Sequence, residues 1–256
     1  MNNNIFGAVF LFGLLAGGIS ISAFSADMAS RVETTEKVFS LHLGVSRIIF
    51  DPTSHGATIT ISNKQEYPIL VESEVLLEDQ KTRAPFIVTP PLFRIEGFQS
   101  SRLRIVRAGG AFPEDRESLN WLCVKGIPPK DGDKWAEHNL PQKTADKVSF
   151  QLLFSVNNCI KFFVRPSTIA GNSSNAAEKV KWMKIEDRLK AYNPTPFYIN
   201  FSSLTVDGKE IKNGGYIAPF SHKEYKIPVD APSKIQWSVI TDYGGISKKF
   251  DARIKK

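Results

Sequence analysis

The sequence predicts an all-β protein built as two sandwiches, and three observations carry that expectation. Short runs of alternating apolar and polar residues recur along the chain. Between them lie Pro, Gly, Asn and Asp clusters at close, fairly even spacing, which is the rhythm of antiparallel sandwiches. No 3.6-residue periodicity persists over about ten residues; only a short stretch at 114–119 has helical character. The composition agrees, with 18 Phe, 15 Pro and 17 Gly against 3 Met.

Taken in order, Phe39, Leu41 and Leu43 alternate with Val38, Ser40 and His42 before Gly44 interrupts, and Arg47-Ile48-Ile49-Phe50 resumes the pattern. Residues 57–63 alternate cleanly, and 69–77, 86–89, 101–106 and 121–127 are further strands. Residues 128–147, rich in Pro, Lys, Asp and Gly, read as a long mobile loop. After it comes the most periodic run of the chain: Val148, Phe150, Leu152, Phe154 and Val156 on one face, polar residues on the other, with Leu153 the exception. Cys159 to Pro166 follows, and Pro166 with the polar stretch 171–175 marks a domain boundary. Strands at 180–185, 197–201, 203–206, 225–227 and 235–241 fill the rest, and these roughly 90 residues suit one small second sandwich.

The apolar run 5–16 is too short for a bilayer, which needs roughly 20 residues, and small residues follow it. That is a secretory signal pattern, although Met1-Asn2-Asn3-Asn4 lacks the usual Lys or Arg. Cleavage fits after Ser25 or after Ala26. The chain therefore divides into a signal peptide at 1–25, an N-terminal domain at 26–166 and a C-terminal domain at 167–256. No other stretch could cross a membrane. The net charge of +7 is scattered, without a run of five like charges, and export argues against nucleic acid as a partner. In an oxidising compartment the two cysteines, Cys123 and Cys159, pair as a disulfide.

Signatures of catalysis are missing. His42, His55, His138 and His222 lie far apart, and there is no zinc spacing, no nucleophile elbow, no phosphate-cradling loop and no dinucleotide fingerprint. No metal, cofactor or enzyme activity is expected. Phe150, Leu152 and Phe154 read as core residues of a sandwich strand, but the run exceeds the usual five or six residues. Soluble proteins suppress long apolar edge strands, so one that is kept points to strand addition onto a partner's sheet. Arg47 and Lys161 sit beside apolar strand residues and read singly as solvated charges; on neighbouring strands they would form a cationic cleft for a carboxylate.

These residues carry a family resemblance. Arg47-Ile48-Ile49-Phe50, Thr89-Pro90-Pro91-Leu92-Phe93-Arg94, Asp115-Arg116-Glu117-Ser118-Leu119, Ile127-Pro128-Pro129, Ile160-Lys161-Phe162-Phe163-Val164-Arg165-Pro166, Asn193-Pro194-Thr195-Pro196-Phe197-Tyr198 and Asp242-Tyr243-Gly244-Gly245 run in the order found in periplasmic chaperones of the chaperone–usher pathway. The cysteine pair and the long strand before Cys159 resemble the subfamily with a long F1–G1 loop, which serves capsular and thin-fibre adhesins. The resemblance implies two immunoglobulin-like sandwiches in a boomerang arrangement. It implies that Val148, Phe150, Leu152, Phe154 and Val156 donate a strand to a fimbrial or capsular adhesin subunit whose own sandwich lacks one. Arg47 and Lys161 would grip the subunit's C-terminal carboxylate and set its register. Glu117, Arg165 and Asp242 would form an ion network between the domains, and Pro68, Leu70 and Ile127 an apolar patch facing an outer-membrane usher. Free chaperone could hide its apolar strand by self-association. The competing reading from another class is a secreted two-domain binding module or adhesin. Against a receptor-type immunoglobulin domain, Trp121 precedes the first cysteine by two residues.

Overall fold

The computed structural model describes residues 33–130, 132–136, 149–227 and 234–254. The signal region, Val148 and most of the expected long loop lie outside these residues. The N-terminal half runs β1 (Glu33–Phe39), β2 (His42–Leu43), β3 (Arg47–Phe50), β4 (Ala57–Ser62), β5 (Ile69–Leu77) and β6 (Phe86–Thr89). It continues with β7 (Leu92–Ile95), β8 (Ser100–Arg107), β9 (Ser118–Ile127), β10 (Ser149–Ser155) and β11 (Asn157–Val164). A sheet in the order β3-β11-β9-β5-β7 faces a second in the order β2-β4-β8-β6, while β1 and β10 form a separate parallel ribbon. Period-two alternation sends Ile48, Phe50, Phe162 and Val164 inward from the first sheet to meet Ile59, Ile61, Leu103 and Ile105 from the second. Phe50, Phe86 and Phe162 meet in this core at centroid distances of 4.8–5.3 Å, Phe86 edge-on to the other two rings.

The C-terminal half opens with a single helical turn, α1 (Ser173–Ala176), where the Asn172 side chain accepts from the Asn175 amide as its cap. The strands β12 (Lys181–Ile185), β13 (Arg188–Tyr192), β14 (Ile199–Val206), β15 (Lys209–Glu210) and β16 (Tyr216–Ile217) follow. Next come β17 (His222–Lys226), β18 (Lys234–Val239) and β19 (Phe250–Arg253). One sheet is ordered β12-β13-β17 and the other β15-β14-β18-β19, with β16 on the side of β14. Leu189, Ala191 and Tyr225 pack against Leu204, Val206, Ile235 and Trp237. The expected strands 197–201 and 203–206 are one strand, β14, bulged between Phe201 and Ser203.

The helical expectation at 114–119 is wrong. The Glu117 amide donates across to the Pro196 carbonyl at 2.9 Å, which holds this stretch extended, and β9 begins at Ser118. A third apolar cluster, Leu119 and Phe163 from one domain with Tyr198 from the other, seals the junction.

Candidate functional site

The ribbon presents the expected apolar row. Phe150, Leu152 and Phe154 are 57%, 45% and 48% exposed, unusual values for side chains that cost roughly 1.5–3 kcal/mol each to leave in water. Leu153 points the other way and packs against the N-terminal core, so the one break in the alternation belongs to the domain's own interior. Val156 is half-buried and ties the ribbon down: its amide donates to Phe39 and its carbonyl accepts from Gly126. Gly126 has a reason to lack a side chain, because a Cβ there would lie 2.2 Å from the Phe39 carbonyl oxygen. Two residues to which the sequence assigned no such role thus complete the ribbon. Gly126 lets it dock, and Val38, in register with Phe154 on β1, widens its exposed apolar face.

The ribbon leads directly into β11, whose Lys161 is the parallel register partner of Arg47 on β3. Neighbouring strands therefore do bring the two cations together. Cys159, two residues before Lys161, is disulfide-bonded to its cross-strand partner Cys123. Arg47 is 8% exposed, lies over the Phe163 ring and donates to the Ile240 carbonyl at 3.2 Å. Burial lowers its pKa, opposed by Asp242 and Glu117. Lys161 lies 4.7 Å from the Tyr216 ring centroid. Loss of hydration, then repulsion from Arg47 and Lys223, pushes its ammonium down to about 8.

Behind this cleft, Arg165 clamps the two domains. Its Nε donates to Glu117 at 2.7 Å, and its two terminal nitrogens grip Asp242 at 2.7 and 2.9 Å. Glu117 also accepts from the Tyr198 amide at 2.7 Å, and Asp242 from the Ser173 hydroxyl. Burial raises Glu117; for Asp242 burial is outweighed by the bonds from Arg165 and Ser173, which hold it low. Away from the cleft, Leu70 and Ile127 are half-buried cross-strand partners, whereas Pro68 is buried and presents little surface.

Two family models cover this architecture. The PapD N-terminal domain of pili and flagellar-assembly chaperones matches residues 40–170, and the PapD C-terminal domain of pili assembly chaperones matches 175–251. The chain belongs to the PapD family of pilus-assembly chaperones. Escherichia coli chaperone protein AfaB is 57% identical to this chaperone over 223 residues, 87% of this chain and 90% of AfaB. The crystal structure of the E. coli chaperone DraB matches with a TM-score of 0.77 at 57% identity, covering 87% of this chain and 100% of DraB. A chain of the Salmonella enterica SafA pilin–SafB chaperone complex matches at 0.76 and 41% identity, again covering 87% of this chain and 100% of its own. Membership displaces the reading of the chaperone as a generic secreted binding module.

Sequence reasoning also missed the C-terminal-domain side of the cleft. Asn200 accepts a hydrogen bond from Lys161, and Tyr216 donates to Glu78 at 2.7 Å, with Tyr198 donating to the other oxygen of Glu78 at 3.3 Å. Burial and the Glu78 partner push the Tyr216 hydroxyl up to about 12. An aromatic beside a β-turn gives no sign of such a role until β14 and β16 pair.

Proposed function

We propose that this chaperone acts in the periplasm. There it caps a fimbrial or capsular adhesin subunit by donating β10, holds the subunit's C-terminal carboxylate on Arg47 and Lys161, and delivers it to an outer-membrane usher. On this reading residues 1–25 direct export, 26–166 form the donor domain and 167–256 the second domain. Glu117, Arg165 and Asp242 fix the angle between them, and Leu70 and Ile127, with Pro68 beneath, face the usher. The pilin bound to the chaperone SafB supports the choice of client class. No catalysis or cofactor is invoked; assembly is driven when a neighbouring subunit's strand, better packed, replaces that of the chaperone. Free chaperone shields the same row by self-association.

The observation that carries this reading is the row Phe150, Leu152 and Phe154, left exposed on a strand whose continuation places Lys161 opposite Arg47. Burying the exposed half of this row yields a gross gain of roughly 2–5 kcal/mol before ordering costs. The cation pair then selects the one register that brings a carboxylate to the cleft. In periplasmic extracts, Arg47→Ala or Lys161→Ala leaves folded chaperone while the client subunits vanish by proteolysis. Unchanged client levels in both variants overturn the carboxylate assignment.

A further inference from the structure

Both cations of the cleft already donate to oxygens of the other domain. Arg47 Nη1 donates to the backbone carbonyl of Ile240 at 3.2 Å. Lys161 Nζ donates to the side-chain oxygen of Asn200. Asn200 lies on β14, is 2% exposed, and is the register partner of Tyr216 on β16. Its amide nitrogen donates to the Tyr198 carbonyl at 3.4 Å, which leaves the oxygen as the atom turned towards Lys161. Tyr216, its hydroxyl fixed by Glu78, offers the same ammonium its ring face. The groups around Lys161 are thus two repelling cations, Arg47 and Lys223, two aromatic faces, Trp121 and Tyr216, and one neutral oxygen. No ion pair among the described residues includes Lys161 or Arg47.

We propose that Asn200 is a positioning residue that stands in for the client's carboxylate, parking Lys161 across the cleft until the client exchanges its own oxygen for the amide. This rests on the carboxylate reading above and adds the element that keeps the site ready. A half-buried ammonium without a protein acceptor is costly, so the client-free cleft favours an oxygen there. A neutral amide supplies a dipole only. A carboxylate forms charge-assisted hydrogen bonds roughly twice as strong and displaces it. An aspartate at this place would hold Lys161 permanently and exclude the client. The choice of an amide makes the contact strong enough to orient and weak enough to yield, and it makes the C-terminal domain part of the binding site rather than a remote strut.

The test uses the full chaperone, with acetate as the carboxylate probe and acetamide as its neutral control. Ionic strength is held constant with chloride, and the Lys161 side-chain signals are followed by NMR. At pH 6 the ammonium is fully charged, since its pKa is about 8. Acetate shifts the Lys161 signals of the wild-type protein and acetamide does not. Asn200→Ala, lacking the competitor, binds acetate about threefold or more tighter, whereas Asn200→Asp binds it about tenfold or more weaker. The lysine titrates lower in the first variant and higher in the second. Weakening by both substitutions would show a merely structural residue and overturn the proposal, as would acetate affinities equal to wild type in both. Asn200→Ala decides alone should the aspartate variant not fold. Failure of acetate to act even on the wild-type protein overturns the carboxylate cleft itself, and Asn200's role with it. Acetate binding with Asn200 variants unaffected removes only Asn200.

Discussion

At the scale of single residues, the cleft sets up a pH dependence whose direction follows from Lys161. Its ammonium has been moved from the ordinary 10.5 down to about 8, first by lost hydration and then by Arg47 and Lys223. The charged form therefore dominates below about pH 8 and is lost as pH rises through that value. Because the folded value lies below the unfolded one, stability of the client-free protein rises between these two limits. Client affinity moves oppositely, since the carboxylate needs the ammonium. Calorimetric titration of a client subunit from pH 6 to 9.5 should show binding that weakens above about pH 8, with proton uptake on binding in that window. A flat profile would remove Lys161 from the contact. Arg47 keeps its charge across this range, because a guanidinium starts so high that burial leaves it protonated. The division of labour is thus one permanent charge and one adjustable charge.

At the scale of the strand, β10 divides its side chains between two owners. Phe150→Asp with Phe154→Asp changes half-exposed side chains outside the chaperone's own core, so the dilute chaperone should stay folded with its melting temperature little lowered while client co-purification is abolished. Leu153→Ser does the reverse. It takes an apolar side chain from the chaperone's own core and should cost about 1–3 kcal/mol of its stability with the donor row intact. A urea titration of the two variants separates the roles, and equal destabilisation by both would contradict the assigned faces. Gly126→Ala pushes the Phe39 carbonyl away and should loosen the ribbon, seen as faster amide exchange at 150–156. Much of this element was legible in the sequence, because period-two alternation sustained over so many residues belongs to a strand with two unlike faces. Other strands were not. In β13 the inward residues are Leu189 and the small Ala191, and in β19 Phe250 is the one bulky apolar residue, so neither run carries a clear alternating signal. The turn α1 is too short to show any period and declares itself only through the Asn172 cap. Asn200, Tyr216 and Glu78 were illegible for a different reason: Asn200 reaches Lys161, and Tyr216 reaches Glu78, only where the two domains pack against each other.

For the molecule as a whole, the decisive feature is that two cores share one charged joint. Arg165→Met strands the buried Glu117 and the largely buried Asp242 without their cation, which should cost roughly 3 kcal/mol near neutral pH. The deficit should shrink on acidification, because carboxylates deprived of their cation titrate higher and folding then takes up protons. Urea unfolding at pH 7 and at pH 5 checks both the size and the sign; an unchanged midpoint would make the joint dispensable. The residues of this joint were recognisable as a set by resemblance, but their hydrogen bonds to Ser173 and to the Tyr198 backbone follow only from the packed interface. One unbroken stretch of chain carries the exposed row, the disulfide, the ammonium and the guanidinium of the joint, in that order. Its spacing works as a ruler: from Phe154 to Lys161 the backbone reaches at most about 23 Å. Inserting two residues after Val156 would preserve every inward and outward face, yet offset the greasy knobs from the cationic end by about 7 Å. Such a protein would still be folded and sticky, but it would measure the wrong length of polypeptide.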